Sequence, residues 1–285
     1  MKAFTPKAPW LLYAYPWQPF PRRLVIYLRE RNIPSSLITL VPVSDVQFGD
    51  KPPPGFPPRP VGSLPILVIP QADGEKSVYI KQSIAIMEYI EETCLAGRYG
   101  FPKLQQQPFL PINTSFDDDP SLYRARHGEL LALAAGLTES WNPVRSFGSG
   151  AGPMRVPAAA REMLRWTQRN ILSVERWLDE NEYCADGLRH GEGEGEQRMA
   201  TIAEIILFQF FDFTKDCYGI DMTQSSGRTT TDVYGRETVE EYPRLKSFYD
   251  AFMTRPSARR HVELGDVPRE EWVKAMTDWS PGVFE

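Results

Sequence analysis

The chain has 285 residues, is 42% hydrophobic and 24% charged, and carries a net charge of -5. That length suits two domains with a core each, and the acidic balance argues against nucleic acid as a partner. Three cysteines, Cys94, Cys184 and Cys217, are odd in number and lack CxxC or zinc spacing, which is the usage of a reduced intracellular protein. The apolar run from Leu11 to Trp17 is punctuated by prolines and too short to span a bilayer, so neither a signal peptide nor a membrane helix is expected, and the expected location is cytoplasmic.

In chain order, WLLYAYPWQPFPRRLVIYLRERNIP (10–34) predicts a short strand, a turn and a helix, with Leu24, Ile26, Tyr27, Leu28 and Ile33 near helical spacing. Pro21 suits a first helical turn and Asn32 suits the exit. Tyr13 and Tyr15 flank the turn, and strand alternation puts both on one face. Lys51 follows in a Pro/Gly-rich loop, where the plain expectation is a solvated charge.

The most informative stretch runs from Gly62 to Glu92. Proline removes a ladder donor, so Leu64-Pro65 is either the start of a strand or a cis peptide in a tight turn. A cis X-Pro presents the preceding N–H and C=O outward, where a ligand with peptide groups can pair as an added strand would. Gln82 and Ser83 then open an amphipathic helix, whose free N–H groups and dipole favour an anion. Together these features describe a small-peptide carboxylate site.

From about Leu104 the chain turns polar, proline-bearing and acidic, which marks a linker. Beyond it, Ser121 to Phe147 and Ala158 to Glu180 predict amphipathic helices, the first broken by GSGAGP at 148–153. HGEGEGEQ (190–197) reads as a low-complexity loop. TIAEIILFQFFDF (201–213) is apolar on nearly every side, and the Thr201-x-x-Glu204 capping box decides for a central helix. His127, His190 and His261 lack fixed spacing to a Ser, Cys or carboxylate and read as structural. The acidic run Asp117 to Asp119 reads as solvated, and no metal is expected.

Leu64-Pro65 followed by Gln82-Ser83 resembles the glutathione-binding half of the glutathione transferase superfamily, in which a Val-Pro or Leu-Pro pair precedes a Glu-Ser or Gln-Ser helix start. Gln18-Pro19-Phe20 is similar to the Cys-Pro-Phe of the omega class. The spacing from Lys51-Pro52 to Leu64-Pro65 also looks like the omega pattern, although the hairpin between Pro65 and Gln82 is longer than usual. Thr201-Ile-Ala-Glu204 resembles the family's Ser/Thr-Ile-Ala-Asp helix start, and the segment from Tyr242-Pro243 to Arg255-Pro256-Ser257 its last shared helix.

The resemblance, to an omega-like or fungal-type member, implies an α/β plus all-α chain. A thioredoxin-like domain with a mixed sheet is expected over 1–105, a linker over 106–120, and an all-helical domain over 121–285 that contributes the electrophile site. It implies glutathione as cofactor, held by Gln18, Phe20, Lys51, Leu64, Pro65, Gln82 and Ser83, with Lys51 on the glycine carboxylate. Phe20 is equally read as core. Trp17, Tyr123, His127 and Trp141 are candidates for a hydrophobic substrate in secondary metabolism. A homodimer is implied, built partly on Ile86, Met87 and Tyr89, with no nucleic acid or membrane partner.

The chemistry turns on sulfur. Only the thiolate is a competent nucleophile, and a free thiol with pKa about 8.5 is mostly protonated at neutral pH. Family members lower that value with Tyr or Ser, or use Cys as a covalent partner; this chain has Gln18 at the omega cysteine's position. Glutamine forms no mixed disulfide, which places omega-type reductions in doubt, but its amide N–H can donate to a thiolate. Gln18, or the backbone N–H beside it, is therefore the expected thiolate partner. Three readings stay open: transfer of glutathione to an apolar conjugated electrophile, glutathione-dependent cis-trans isomerisation, and a non-catalytic interaction domain.

Overall fold

The computed structural model describes residues 5–45, 48–72, 75–105, 108–112, 119–149, 154–189, 198–278 and 281–284. The chain divides into two units. One is Met1–Pro108 with Pro256–Val267, the other Phe109–Arg255 with Pro268–Glu285.

The first unit grows from a parallel pair. Strand β1 (Trp10–Ala14) leads through helix α1 (Pro19–Glu30) to β2 (Ile38–Pro42), which lies parallel to β1 with Ala14 beside Pro42. Strand β3 (Ile66–Ile69) pairs antiparallel with β1, and β4 (Val78–Lys81) antiparallel with β3, giving the mixed order β2-β1-β3-β4. Helix α2 (Ser83–Leu95) follows. This is the thioredoxin-like sheet. Every residue of β3 is buried, as its unbroken apolar run requires, whereas the edge strand β4 is largely exposed. Tyr13 packs with Val41, Val43, Ile66 and Val68, and partly buried Tyr15, Phe56 and Leu64 lie against that cluster. The face shared by the two tyrosines is therefore core.

Helix α1 starts at Pro19 with Pro21 in its first turn, as expected, and exits through Asn32 at φ 50°, a left-handed value that asparagine tolerates. The buried Arg31 just after α1 forks onto Glu91 of α2 at 2.7 and 3.0 Å, and the Tyr27 hydroxyl donates to the same carboxylate. Cys94 is buried nearby, and burial pushes its thiol up to about 11, an unreactive value.

Residues 256–267 belong to this first unit although the expected helical domain ran to the end of the chain. The cause is charge burial. Arg22 and Asp266 are fully buried, with Arg22 Nη1 donating to Asp266 at 2.6 Å and Nη2 to the Ala258 carbonyl at 2.7 Å. Arg29 adds a second bond to Asp266 at 2.8 Å. A guanidinium at zero exposure needs such a partner.

The second unit is helical, with α3 (Pro120–Ser149), α4 (Pro157–Glu180), α5 (Ile202–Tyr218), α6 (Pro243–Met253), α7 (Glu270–Thr277) and α8 (Pro281–Phe284). Helix α3 runs through Gly148, so the glycine-rich run does not stop it at Phe147 as expected; 150–153 lie outside the described residues, as do His190 and 191–197. A small hairpin, β5 (Thr229–Thr231) with β6 (Glu237–Val239), was not foreseen. Helix α5 is buried along nearly its whole length, and its capping box is formed reciprocally, with Thr201 N–H on Glu204 at 2.8 Å and Glu204 N–H on Thr201 Oγ1 at 3.2 Å. Phe208 stacks on Phe252 with ring centroids 4.2 Å apart. The buried Glu175 of α4 accepts the N–H groups of Arg244 and Leu245, capping α6 from a neighbouring helix. Of the expected linker 106–120, residues 106–107 and 113–118 lie outside the described residues. Leu110 donates its N–H to the Tyr123 hydroxyl, and Pro111 accepts from Cys184.

Candidate glutathione site

The sheet register gathers the predicted residues of the first unit at one edge. Because β1 and β2 run parallel while β3 and β4 alternate, four segment ends meet there. They are the exit of β1 toward Gln18, the exit of β2 toward Lys51, the entry to β3 at Leu64-Pro65, and the exit of β4 at Gln82-Ser83. Tyr13 pairs with Ile66, Ile66 with Lys81, and Ala14 with Pro42.

Each end offers a different functional group. Leu64-Pro65 is a cis peptide immediately before β3, and among the described residues no backbone bond outside the sheet ladders engages Leu64. Gln82 is exposed and held at φ 74°, a left-handed value that a non-glycine residue adopts only when its surroundings over-determine it. Ser83, at the first position of α2, is buried at 4% exposure, and its hydroxyl has no partner among the described residues. Helix α2 has no side-chain cap and no acidic residue in its first turn, so the open N–H groups of Ser83, Ile84 and Ala85 present positive potential at this edge.

Lys51 is tied by its backbone, donating to Ser44 Oγ at 2.9 Å and accepting from Ser44 N–H at 2.8 Å. Its ammonium is exposed and unpaired among the described residues. Beside it, Asp50 accepts from Tyr15 and from Arg59 Nε at 2.7 Å. Burial alone would raise the Asp50 pKa, but the bonds from Arg59 and Tyr15 outweigh it and hold the carboxyl below its usual range.

At the head of α1 few backbone donors are open. Gln18 N–H is already bound to the Tyr15 carbonyl at 3.0 Å, and Pro19 and Pro21 have no N–H. The first backbone N–H of α1 left open among the described residues is that of Phe20, as the Pro-x-Pro spacing signals. The Gln18 side chain is half-buried and makes no hydrogen bond among the described residues. The Phe20 ring is partly exposed and carries Arg23 at 4.9 Å from its centroid. Neither tyrosine is available, since Tyr13 donates to the Pro57 carbonyl at 2.9 Å and Tyr15 to Asp50. Burial raises both phenols, and the bond to Asp50 raises Tyr15 further.

Residues 17–93 match the family model described as glutathione S-transferase, N-terminal domain. That matched segment is similar to a glutathione S-transferase N-terminal domain. Gln18, Phe20, Lys51, Leu64, Pro65, Gln82 and Ser83 all fall within it. A search of curated proteins returns no match. Among solved structures, the chain is similar to Ure2p in complex with glutathione (16% identity, TM-score 0.56, 90% of this chain and 98% of that one). It is also similar to a glutathione S-transferase from Methylobacillus flagellatus with glutathione bound (18% identity, TM-score 0.52, 87% and 96%). A third is maleylacetoacetate isomerase from Anaeromyxobacter dehalogenans with dicarboxyethyl glutathione and citrate in its active site (17% identity, TM-score 0.50, 95% and 97%). At these identities the common element is the fold, a thioredoxin-like unit and a helical unit.

The substrate candidates divide. Trp17, at the start of the matched segment, is buried at 9% exposure. Tyr123 is half-buried, bound to Leu110 N–H, and pushed up to about 12 chiefly by burial. His127 is also half-buried. Trp141 requires correction. It is 1% exposed and packs edge-on against Phe210 and Tyr218 within the helical unit's own core, which leaves it no face for a substrate. Among the described residues, no group of three or more His, Cys, Asp or Glu is placed to hold a metal, and no helix is long and apolar enough to cross a membrane.

Proposed function

We propose that this protein binds glutathione and adds its thiolate to a small apolar electrophile, a conjugated enone or polyene. The observation that carries the reading is the Ser83 hydroxyl, on a buried residue at the uncapped start of α2 and without a partner among the described residues, on the sheet edge that also holds the free Leu64 backbone and the Lys51 ammonium. A scaffold has no physical need for that set. The glutamyl carboxylate would bind at Ser83 and the α2 N-terminus, the cysteinyl backbone would pair with Leu64, and Lys51 would meet the glycine carboxylate. The thiolate would accept from the Gln18 amide or Phe20 N–H. In an enone the thiolate would attack the β-carbon, the alkene pair would move onto the conjugated carbonyl, and water would return a proton; in a polyene the pair would spread over the remaining double bonds before protonation. Calorimetric titration with glutathione tests the binding half: no heat and no thermal shift at millimolar ligand removes every glutathione-dependent reading.

Gln18 favours a second reading on the same site. A neutral amide stabilises a thiolate weakly, so only an activated alkene reacts, and the same adduct can expel the thiol after rotation, giving cis-trans isomerisation with glutathione recycled. The non-catalytic alternative rests on that same absence of Tyr, Ser or Cys, and falls if turnover is seen.

We also propose a homodimer. Ile86 and Met87 are fully buried in the first unit and cannot form its contact face. The outer face of α2 beside β4 can. Ala85, Glu88, Tyr89, Glu92 and Arg98 there line an open groove of about 710 Å³ with Val78 and Tyr99 exposed on its wall.

A further inference from the structure

From Phe48 to Leu64 the chain lies outside the four-stranded sheet, so the shape of that stretch needs another cause, and Arg59 contributes one. Its Nε and Nη2 fork onto Asp50, while Nη1 donates to the carbonyls of Pro60 and Gly62, both at 2.8 Å. Lys81, at the end of β4, clamps the adjoining Val61 carbonyl at 3.0 Å. Gly62 between them has φ +131°, a backbone conformation that side-chain-bearing residues rarely adopt, so the turn requires glycine. Arg59 thus spans the loop, joining the residue beside Lys51 to the segment two residues before Leu64. Its charge is matched by Asp50, so it offers a ligand carboxylate no unpaired cation. What it contributes is geometry, and a lysine would keep the charge but lose the fork.

We propose that Arg59, acting through Asp50, is a positioning residue for glutathione that fixes the Lys51 backbone so its ammonium meets the ligand's carboxylate. The inference rests on the glutathione reading above. Tyr15 completes the anchor by tying Asp50 to the exit of β1.

The experiment is a pair of double-mutant cycles read by calorimetric titration with glutathione, with thermal midpoints confirming folding. Arg59→Lys and Lys51→Ala should each weaken binding about tenfold, and the double variant should bind no worse than Lys51→Ala alone, because a misplaced and a missing ammonium lose the same contact. Combined with Ser83→Ala, which the Arg59 bonds do not reach, the losses should multiply. Unchanged affinity in Arg59→Lys, or losses that multiply with Lys51→Ala, overturns the proposal. Coupling to Ser83 as strong as to Lys51 means a general loosening of the unit and overturns it too. Should Arg59→Lys fail to fold, Asp50→Asn carries the same cycles. Wild-type protein that binds no glutathione overturns the underlying reading and this inference with it, whereas wild-type binding with additive cycles sinks the inference alone.

Discussion

The Tyr15 hydroxyl donates to the Asp50 carboxylate, joining the exit of β1 to the loop that carries Lys51. That bond decides a chemical question. A phenol committed to a carboxylate, and held protonated by burial and that bond, is not free to donate to a thiolate. With Tyr13 committed to the Pro57 carbonyl, neither phenol is left to donate to a thiolate.

Ser83→Ala is expected to weaken glutathione binding by about 1–3 kcal/mol, since a charged ligand group loses a buried partner. The hydroxyl has no partner within the described protein, so the thermal midpoint without ligand should barely change. Calorimetry alongside a thermal scan separates the two effects. Unchanged affinity in the folded variant would place the carboxylate elsewhere.

Gln18→Cys should let the protein take up one glutathione in disulfide linkage from oxidised glutathione, the introduced thiolate attacking one sulfur and expelling reduced glutathione. Cys184 is exposed and would react as well, so Cys184→Ser is the background, with Cys94 and Cys217 buried. Mass spectrometry should find the adduct in Gln18→Cys and none in the parent. An adduct on the parent, or none on the variant, would show that residue 18 does not face the sulfur.

What the sequence disclosed followed distance along the chain. Thr201 and Glu204 sit three residues apart, and the cap they predict forms as drawn. The strand and helix of 10–34 and the start at Gln82-Ser83 were legible because apolar period and punctuation are local signals. Arg22 and Asp266 are 244 residues apart, and no spacing rule joins them, so the return of 256–267 to the first unit was invisible. Ile86 and Met87 look like surface candidates only until the helix is docked on its sheet. The hairpin at Thr229–Val239 was readable in principle, since Thr229–Thr231 is β-branched and Gly235 takes the positive φ of its turn.

Glu204 gives the helical unit an acid-sensitive element. Burial alone would raise its pKa, but the Arg198 charge and bonds, one of them at 2.9 Å, outweigh that and hold it below the ordinary 4.5. A depressed folded value means the unfolded chain binds the proton more readily. The contribution is therefore complete above the ordinary value and is lost as pH falls through the lower one. Glu204→Gln should cost about 3–5 kcal/mol near neutrality, where it leaves Arg198 unpaired. Thermal midpoints against pH should show the two proteins converging in acid; a constant gap would refute the assignment.

Ala85→Arg should separate the dimer, because Ala85 is an exposed helix position on the groove and a long cation there obstructs a two-fold contact. Light scattering should give twice 32.5 kDa for the parent and 32.5 kDa for the variant. A parent mass of 32.5 kDa at all concentrations would dismiss the dimer.

The last prediction separates transfer from isomerisation. Both begin when the thiolate adds to a conjugated double bond, leaving a single bond free to rotate. A transferase then releases the adduct, whereas an isomerase retains it until the thiol is expelled and the alkene re-forms in the other geometry. Weak stabilisation by Gln18 or Phe20 N–H suits an activated alkene, in which conjugation spreads the developing charge and lowers the demand on the nucleophile. It does not suit an unactivated halide. With substrate in large excess over glutathione, both species are followed chromatographically. Product capped at the glutathione supplied means transfer, the expected result; complete conversion with glutathione undiminished means isomerisation. If protein that binds glutathione gives neither outcome across a panel of activated alkenes, the conjugated-alkene proposal fails and the interaction-domain reading takes its place.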